Sequence, residues 1–295
     1  MGVSRRMVLG GGLALAGIAG VAGAGYALVE DGTLPGKYRL DQFLGACGSE
    51  PGLPAVTPGP VLTCTFWSRY RRRRVQMITM LPPGSHRDLP VALVLHGAFD
   101  DAASCVQLGY PSFLAAGVAS GRVPPMALVA ADGGATTWWH QRADGDDPPG
   151  MLVHEVLPYL AARGFRTGRV GATGWSMGGF GALLLAERRL AAAVAVMSPA
   201  IYPSYSGAVA ANPGSFDSAA DFAHNDVRDS AGAAVLRTLP VMMSCGADDP
   251  FAPQVASFRT ELGDPPGSIG SGCHDAAYWR RQIPAQLAFV SAHLA

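Results

Sequence analysis

Gly174-Trp175-Ser176-Met177-Gly178 sets a serine between glycines, directly after the apolar run Val170–Thr173 and before a helical stretch led by Met177. A turn from strand to helix that is sharp enough to push a hydroxyl out of a sheet needs small neighbours, because a Cβ there meets backbone. Gly174, Gly178 and Gly179 meet that need. The helix that follows aims its first amides at developing negative charge, so the segment predicts a nucleophile with part of its charge stabilisation built in.

A serine hydroxyl is a weak nucleophile and needs a base, which needs an acid to orient it. On a turn of this kind the chain order is serine, acid, histidine. The run Val241–Ser244 leads into Cys245-Gly246-Ala247-Asp248-Asp249-Pro250-Phe251, where an aspartate just past a strand end is placed to act as the acid. The Gly246 and Pro250 turn favours Asp249, and Asp248 stays open as the alternative. His274, in Gly270-Ser271-Gly272-Cys273-His274-Asp275, is the predicted base: His224 precedes the acid, and His293 ends the last helix. The predicted oxyanion donors are the amide of Met177 and that of Ala98, in the turn His96-Gly97-Ala98-Phe99 after the run Val91–Leu95. His96 lies too early in the order and reads as structural.

Two other clusters invite chemistry. Trp138 to Asp147 (WWHQRADGDD) follows the apolar run Ala127–Ala131 and reads equally as an aromatic pocket wall or as a hydrogen-bonded loop. Its acids miss calcium-loop spacing, so no metal is expected. Arg69 to Arg74 holds five arginines and reads as a solvated hairpin tip, with weak attraction to anionic lipid as the alternative. Five cysteines (Cys47, Cys64, Cys105, Cys245 and Cys273) match no zinc pattern and allow one or two disulfides. Cys47 sits in a lipoprotein-like Leu44-Gly45-Ala46-Cys47, but charged residues separate it from any apolar segment, which argues against lipidation.

The elements that must position these residues alternate. Short strands Val61–Phe66 and Val75–Met80 precede the buried-type runs Val91–Leu95, Ala127–Ala131, Val170–Thr173, Ala192–Met197 and Val241–Ser244. Helices are expected at Ala102–Ala116, Met151–Arg163, Met177–Arg189 and Ala252–Leu262. A last helix has Pro284 in its first turn and Ile283, Leu287, Val290 and Leu294 on one face. This alternation predicts an α/β fold, a mostly parallel sheet covered on both faces, with chemistry at the carboxyl ends of the strands. Ile201–Leu239 breaks the rhythm and reads as a lid or as a surface excursion.

The 295 residues, 49% hydrophobic and 15% charged, fit a folded domain, and a formal net charge of +0 offers no field for nucleic acid. The N-terminus carries Arg5-Arg6 and then Met7–Val29 without a charge. Ser4-Arg5-Arg6-Met7-Val8-Leu9 resembles a twin-arginine export signal, with Ala22-Gly23-Ala24 as a cleavage site, and an uncleaved membrane anchor is the alternative. The expected organisation is residues 1–29 as signal peptide or anchor, 30–60 as a Gly/Pro-rich tether or wrap, and 61–295 as the catalytic domain.

Leu95-His96-Gly97, the Gly174–Gly179 segment, Gly246–Phe251 and Gly272-Cys273-His274-Asp275 with Tyr278-Trp279-Arg280 resemble an esterase family of α/β-hydrolases. That family includes S-formylglutathione hydrolase (esterase D), feruloyl esterases and the antigen 85 mycolyltransferases. The sequence departs from the antigen 85 members in carrying aspartate where those enzymes look to use glutamate. With its Arg-rich, Lys-poor composition and leader, it looks like an exported actinobacterial member. The resemblance implies an α/β-hydrolase fold and a serine carboxylesterase that forms an acyl-serine without a cofactor. It implies Ser176, Asp249 and His274 as triad, Ala98 and Met177 as oxyanion donors, and a small-molecule or lipid ester as substrate. Two rivals remain: an acyltransferase that passes the acyl group to a sugar or lipid hydroxyl, and a non-catalytic surface module that keeps the fold.

Overall fold

The computed structural model describes residues 45, 47–84 and 88–294. The leader, and the linker up to residue 44, lie outside the described residues. Eight strands form one sheet in the order β1-β2-β4-β3-β5-β6-β7-β8. These are β1 (Val61–Ser68), β2 (Arg73–Met80), β3 (Pro90–Leu95), β4 (Ala127–Ala131), β5 (Arg166–Trp175), β6 (Ala193–Met197), β7 (Val241–Gly246) and β8 (Ile269–Gly270). β2 runs antiparallel to both its neighbours, and the other pairings are parallel. The α/β fold expected from the alternation is present, and the continuous apolar runs are strands buried on both faces.

The order places β3 between β4 and β5, so the connections leaving β3 and β5 diverge. A crevice opens where the chain reverses direction along the sheet, and the loops after β3 and β5 line it.

Helices cover both faces. On one face lie α1 (Ala102–Gln107), α2 (Tyr110–Ala119) and α10 (Ala276–Ala292), packed over Val94, Leu128 and Met197. On the other lie α3 (Pro148–Met151), α4 (Leu157–Ala161), α5 (Met177–Glu187) and α9 (Ala252–Glu261), over Leu93, Val129 and Val196. α5 is buried from Met177 to Ala186, as befits a helix that is apolar all round.

Three helix expectations need correction. Ala102–Ala116 is two helices, because Gly109 takes φ +99° and Pro111 starts a new turn. The helix expected from Met151 begins at Pro148 and passes through a π turn at Leu152–Val156, where the Leu157 N–H reaches back to the Leu152 carbonyl. Pro158 has no N–H to continue an α ladder there. Pro284 does not open the last helix but sits inside α10. The Asp275 carboxylate caps that helix by accepting the Tyr278 N–H, and burial of Tyr278, Ile283, Leu287 and Val290 outweighs the one hydrogen bond that proline removes.

The segment Ile201–Leu239 is three short helices, α6 (Tyr205–Ala211), α7 (Ala219–His224) and α8 (Ser230–Leu236), capped by Ser204, Ser218 and Asp229. The arginine-rich hairpin is not simply solvated. Arg71 is buried, pairs with Asp146 and donates to the Asp132 carbonyl, while Arg72 donates to the Asp144 carbonyl. The hairpin is thereby stitched to the loop after β4, because a buried guanidinium must have every donor near an acceptor. No helix among the described residues is long and apolar enough to cross a membrane.

Candidate active site

Ser176 stands on the turn between β5 and α5 with φ at 54°, a left-handed conformation that a serine adopts only when its surroundings hold it there. Its N–H donates to the Met197 carbonyl (3.2 Å), and its carbonyl accepts from the N–H groups of Phe180 (3.1 Å) and Ala200 (3.0 Å). A Cβ on Gly178 would lie 2.0 Å from the Leu95 carbonyl oxygen, so only glycine lets α5 begin this close to the end of β3. That approach brings the turns after β3 and β5 together.

His274 lies in the loop between β8 and α10. Its Nε2 is 2.9 Å from Ser176 Oγ and its Nδ1 is 2.8 Å from Asp249 Oδ2. The other Asp249 oxygen accepts the Phe251 N–H at 2.8 Å. Of the two aspartates left open by the sequence, it is Asp249 whose carboxylate meets the imidazole. Burial opposes its ionisation, but the hydrogen bond and charge of His274, with the Phe251 N–H, outweigh that penalty and hold the carboxyl below the ordinary aspartate range. Three side chains far apart in sequence therefore form one hydrogen-bonded relay at the carboxyl edge of the sheet.

Met177 provides the first amide of α5, one of the orphan donors at every helix start. Ala98 lines the cavity that holds Ser176, and no acceptor among the described residues takes up its N–H, whereas the next amide, that of Phe99, donates to the Ala135 carbonyl (2.8 Å). His224 ends α7 and His293 closes α10 with its Nδ1 2.8 Å from the Phe289 carbonyl.

His96 is fully buried and its bonds fix its tautomer. Nε2 accepts the Gly133 N–H (2.8 Å), which leaves Nδ1 to donate to the Gly97 carbonyl (2.8 Å). Burial pushes its pKa down, so it stays neutral and ties the turn after β3 to the loop after β4. The Trp138–Asp147 cluster divides. Trp138 lines the cavity at Ser176 and donates its indole N–H to the Ala200 carbonyl, while His140 is buried against Phe216 and meets the Ser215 carbonyl (3.2 Å).

The cavity beside Ser176 and His274 has a volume of about 550 Å³. Its aromatic lining includes Phe99, Trp138, Tyr202, Phe251 and Trp279, and α6 adds Gly207 and Ala211. The start of the inserted segment, with its first helix, therefore forms one wall of the site. Several of these residues escape a search for catalytic motifs because a lining side chain carries no spacing rule. Tyr202 and Phe251 meet edge to face at 5.3 Å only after two distant loops have folded together. Among the described residues the one cluster of potential metal ligands, Cys47, Cys273 and Asp275, has both sulfurs joined in a disulfide.

The Putative esterase family matches residues 68–290. The chain belongs to that esterase family. Among solved structures, it is similar to a ferulic acid esterase, with 22% identity and a TM-score of 0.68 over 80% of this chain and 98% of the other. An S-formylglutathione hydrolase from Agrobacterium tumefaciens gives 14% identity and a TM-score of 0.64, covering 81% of this chain and 99% of that one. MPT51 of Mycobacterium tuberculosis gives 18% identity and 0.58, covering 80% and 100%. No curated protein sequence matches the chain significantly. Family and fold make this esterase an α/β-hydrolase-type serine hydrolase acting on carboxylic esters.

Proposed function

We propose that this esterase cleaves carboxylic esters through an acyl enzyme on Ser176, and the observation that carries the reading is the Ser176–His274–Asp249 relay at 2.9 and 2.8 Å. His274 Nε2 takes the hydroxyl proton as Ser176 Oγ attacks the ester carbonyl. Asp249 holds the Nδ1–H tautomer and stabilises the imidazolium. The amides of Ala98 and Met177 take the charge that develops on the carbonyl oxygen. The imidazolium returns its proton to the departing alcohol, and a water activated by the same His274 releases the carboxylic acid. One ester and one water become one acid and one alcohol.

The aromatic lining favours an apolar acyl or alcohol group over a charged one. The test is turnover of p-nitrophenyl esters of increasing acyl length by the purified protein and by Ser176→Ala, with and without an added alcohol acceptor. Hydrolysis that vanishes in Ser176→Ala is the expected result, and equal activity in the two proteins rejects the mechanism. Preferential transfer to the acceptor assigns an acyltransferase instead.

Export is part of the proposal. Paired arginines before an uncharged segment support a twin-arginine leader, and a disulfide in the folded part suits an oxidising compartment. The N-terminus of the exported protein decides between a cleaved signal and an anchor.

A further inference from the structure

The loop that carries His274 is soft in its covalent structure. It leaves the two-residue strand β8 through Gly270, Ser271 and Gly272. Gly272 has φ +148°, and a Cβ there would fall 2.3 Å from the Tyr278 ring. Two glycines in three residues give this stretch little torsional restraint of its own. On its inner side backbone hydrogen bonds hold it: the Ala247 N–H donates to the Gly270 carbonyl (2.7 Å) and the Asp248 N–H to the Gly272 carbonyl (3.0 Å).

The outer side is held by a part of the chain remote in sequence. Cys273, the residue immediately before His274, is disulfide-bonded to Cys47 across a sequence separation of 226. Arg281 on α10 completes the fastening. Its Nη2 donates to the carbonyls of Cys47 (3.0 Å) and Ser271 (3.2 Å), and its Nη1 to that of Ser49 (2.9 Å). Arg280 pairs with Glu50 and donates to the carbonyls of Gln107 (2.8 Å) and Leu108 (3.2 Å). Residues 47–50 thus form a strap from the link between α1 and α2 to the base loop.

Resting on the assignment of His274 as the general base, we infer that this strap is a positioning device for the imidazole, and that the rate of ester hydrolysis depends on the Cys47–Cys273 bond. The base must keep two hydrogen bonds, to Ser176 and to Asp249, that only one placement of the ring satisfies, and small misplacement of a reacting group costs large factors in rate. With the bond open, Arg281 still bridges strap and loop, so His274 loosens without the site dissolving. The wall contributed by Tyr202, Gly207 and Ala211 is untouched, so substrate binding changes little.

Opening the bond requires a reductant. A dithiol attacks one sulfur to give a mixed disulfide, and its second thiol then closes a cyclic disulfide; two electrons and two protons pass to Cys47 and Cys273. The remaining thiols do not confuse the readout. Cys105 and Cys245 are buried, and burial pushes both thiols well above their usual pKa. Cys64 is half-buried on β1, an edge strand away from the site.

The experiment compares the full oxidised enzyme, the same enzyme treated with dithiothreitol, Cys47→Ser and Arg281→Lys. The measurements are Tm and, at a temperature well below it, kcat, KM and the rate at which a fluorophosphonate labels Ser176. Bond loss is expected to lower kcat and the labelling rate about tenfold while KM stays within about twofold. Reoxidation restores the wild type, and dithiothreitol adds nothing to Cys47→Ser. A kcat and labelling rate unchanged by bond loss, with only Tm lowered, overturns the inference and leaves the bond a stabiliser. Oxidised wild type without Ser176-dependent turnover rejects the function itself, a different result. Should Cys47→Ser fail to fold, reduction of the folded wild type under circular dichroism gives the same decision.

Discussion

Arg142, in the loop after β4, grips Asp217 in the inserted segment with two hydrogen bonds, Nη2 to Oδ1 at 2.7 Å and Nε to Oδ2 at 3.2 Å. Its Nη1 also meets the carbonyls of Gly214 (3.0 Å) and Ser215 (2.8 Å). One guanidinium therefore pins the segment that supplies the cavity wall, with the bidentate geometry that arginine provides and lysine does not.

Arg142→Ala is expected to raise KM about three- to tenfold with kcat changed much less, and Arg142→Lys to recover only part of the loss. Steady-state kinetics on the longest accepted ester checks this, and a fall in kcat at constant KM counts against the wall assignment. The pH sign follows from Asp217, whose carboxyl is held below its ordinary value chiefly by the Arg142 hydrogen bond. The tether is intact above that ordinary value and is lost only as pH falls through the depressed one, so KM should stay flat from neutrality down to about pH 4.

Asp249→Asn keeps the shape of the acid but reverses its hydrogen-bond preference toward His274 Nδ1. A loss of about 10³- to 10⁴-fold in kcat is expected. Asp248→Asn should stay within a few-fold of wild type. Equal losses in the two variants would contradict the pairing at 2.8 Å.

Glu187, at the end of α5, is raised to about 7, first by burial and then by the negative charges of Asp229 and Asp226, against the pull of Arg188. A carboxyl whose folded pKa lies above its unfolded value favours the folded state only while protonated. Stability is therefore lost as pH rises from about 4.5 through 7. Glu187→Gln should raise Tm by about 2–4 °C at pH 8 and leave it nearly unchanged at pH 4, allowing for partial solvent screening of the group. Thermal melts of both proteins across that range measure the difference. A variant less stable than wild type at pH 8 would show that the charged form is favourably held.

Gly178→Ala drives a Cβ to 2.0 Å from the Leu95 carbonyl oxygen, and because backbone geometry fixes the Cβ and the oxygen belongs to the main chain, no side-chain rotation relieves the contact. We expect a loss of about 3 kcal/mol or more in denaturant unfolding, beyond the usual range for one methyl group. Wild-type stability in this variant would mean that α5 does not start where the structure has it.

Much of the site is legible in the sequence because its signals are local. The strand, turn and helix around Ser176 announce themselves through three glycines and a change of hydrophobic period, and serine, acid and histidine follow in the order the turn demands. The helix boundaries that went astray involve prolines and a glycine whose effect depends on what lies around them. Pro284 is absorbed because Asp275 caps the helix and the buried face holds it, while Gly109 breaks a helix that its neighbours would have continued. The three helices of the insertion carry their cap residues, Ser204, Ser218 and Asp229, in plain view but are too short to show a period. The partners of His140, Arg71 and Cys47 lie far along the chain, and no spacing rule reports a contact that only the completed fold creates.

The Cys47–Cys273 bond also has a bearing on how the chain reaches this state. The covalent ring it closes contains every strand of the sheet, so by the chain-entropy account it removes about 5 kcal/mol of freedom from the unfolded ensemble. Since Cys273 follows β8 in the chain, the ring closes only after all eight strands have been synthesised. The bond therefore cannot guide any strand pairing that takes place while those strands are still being made.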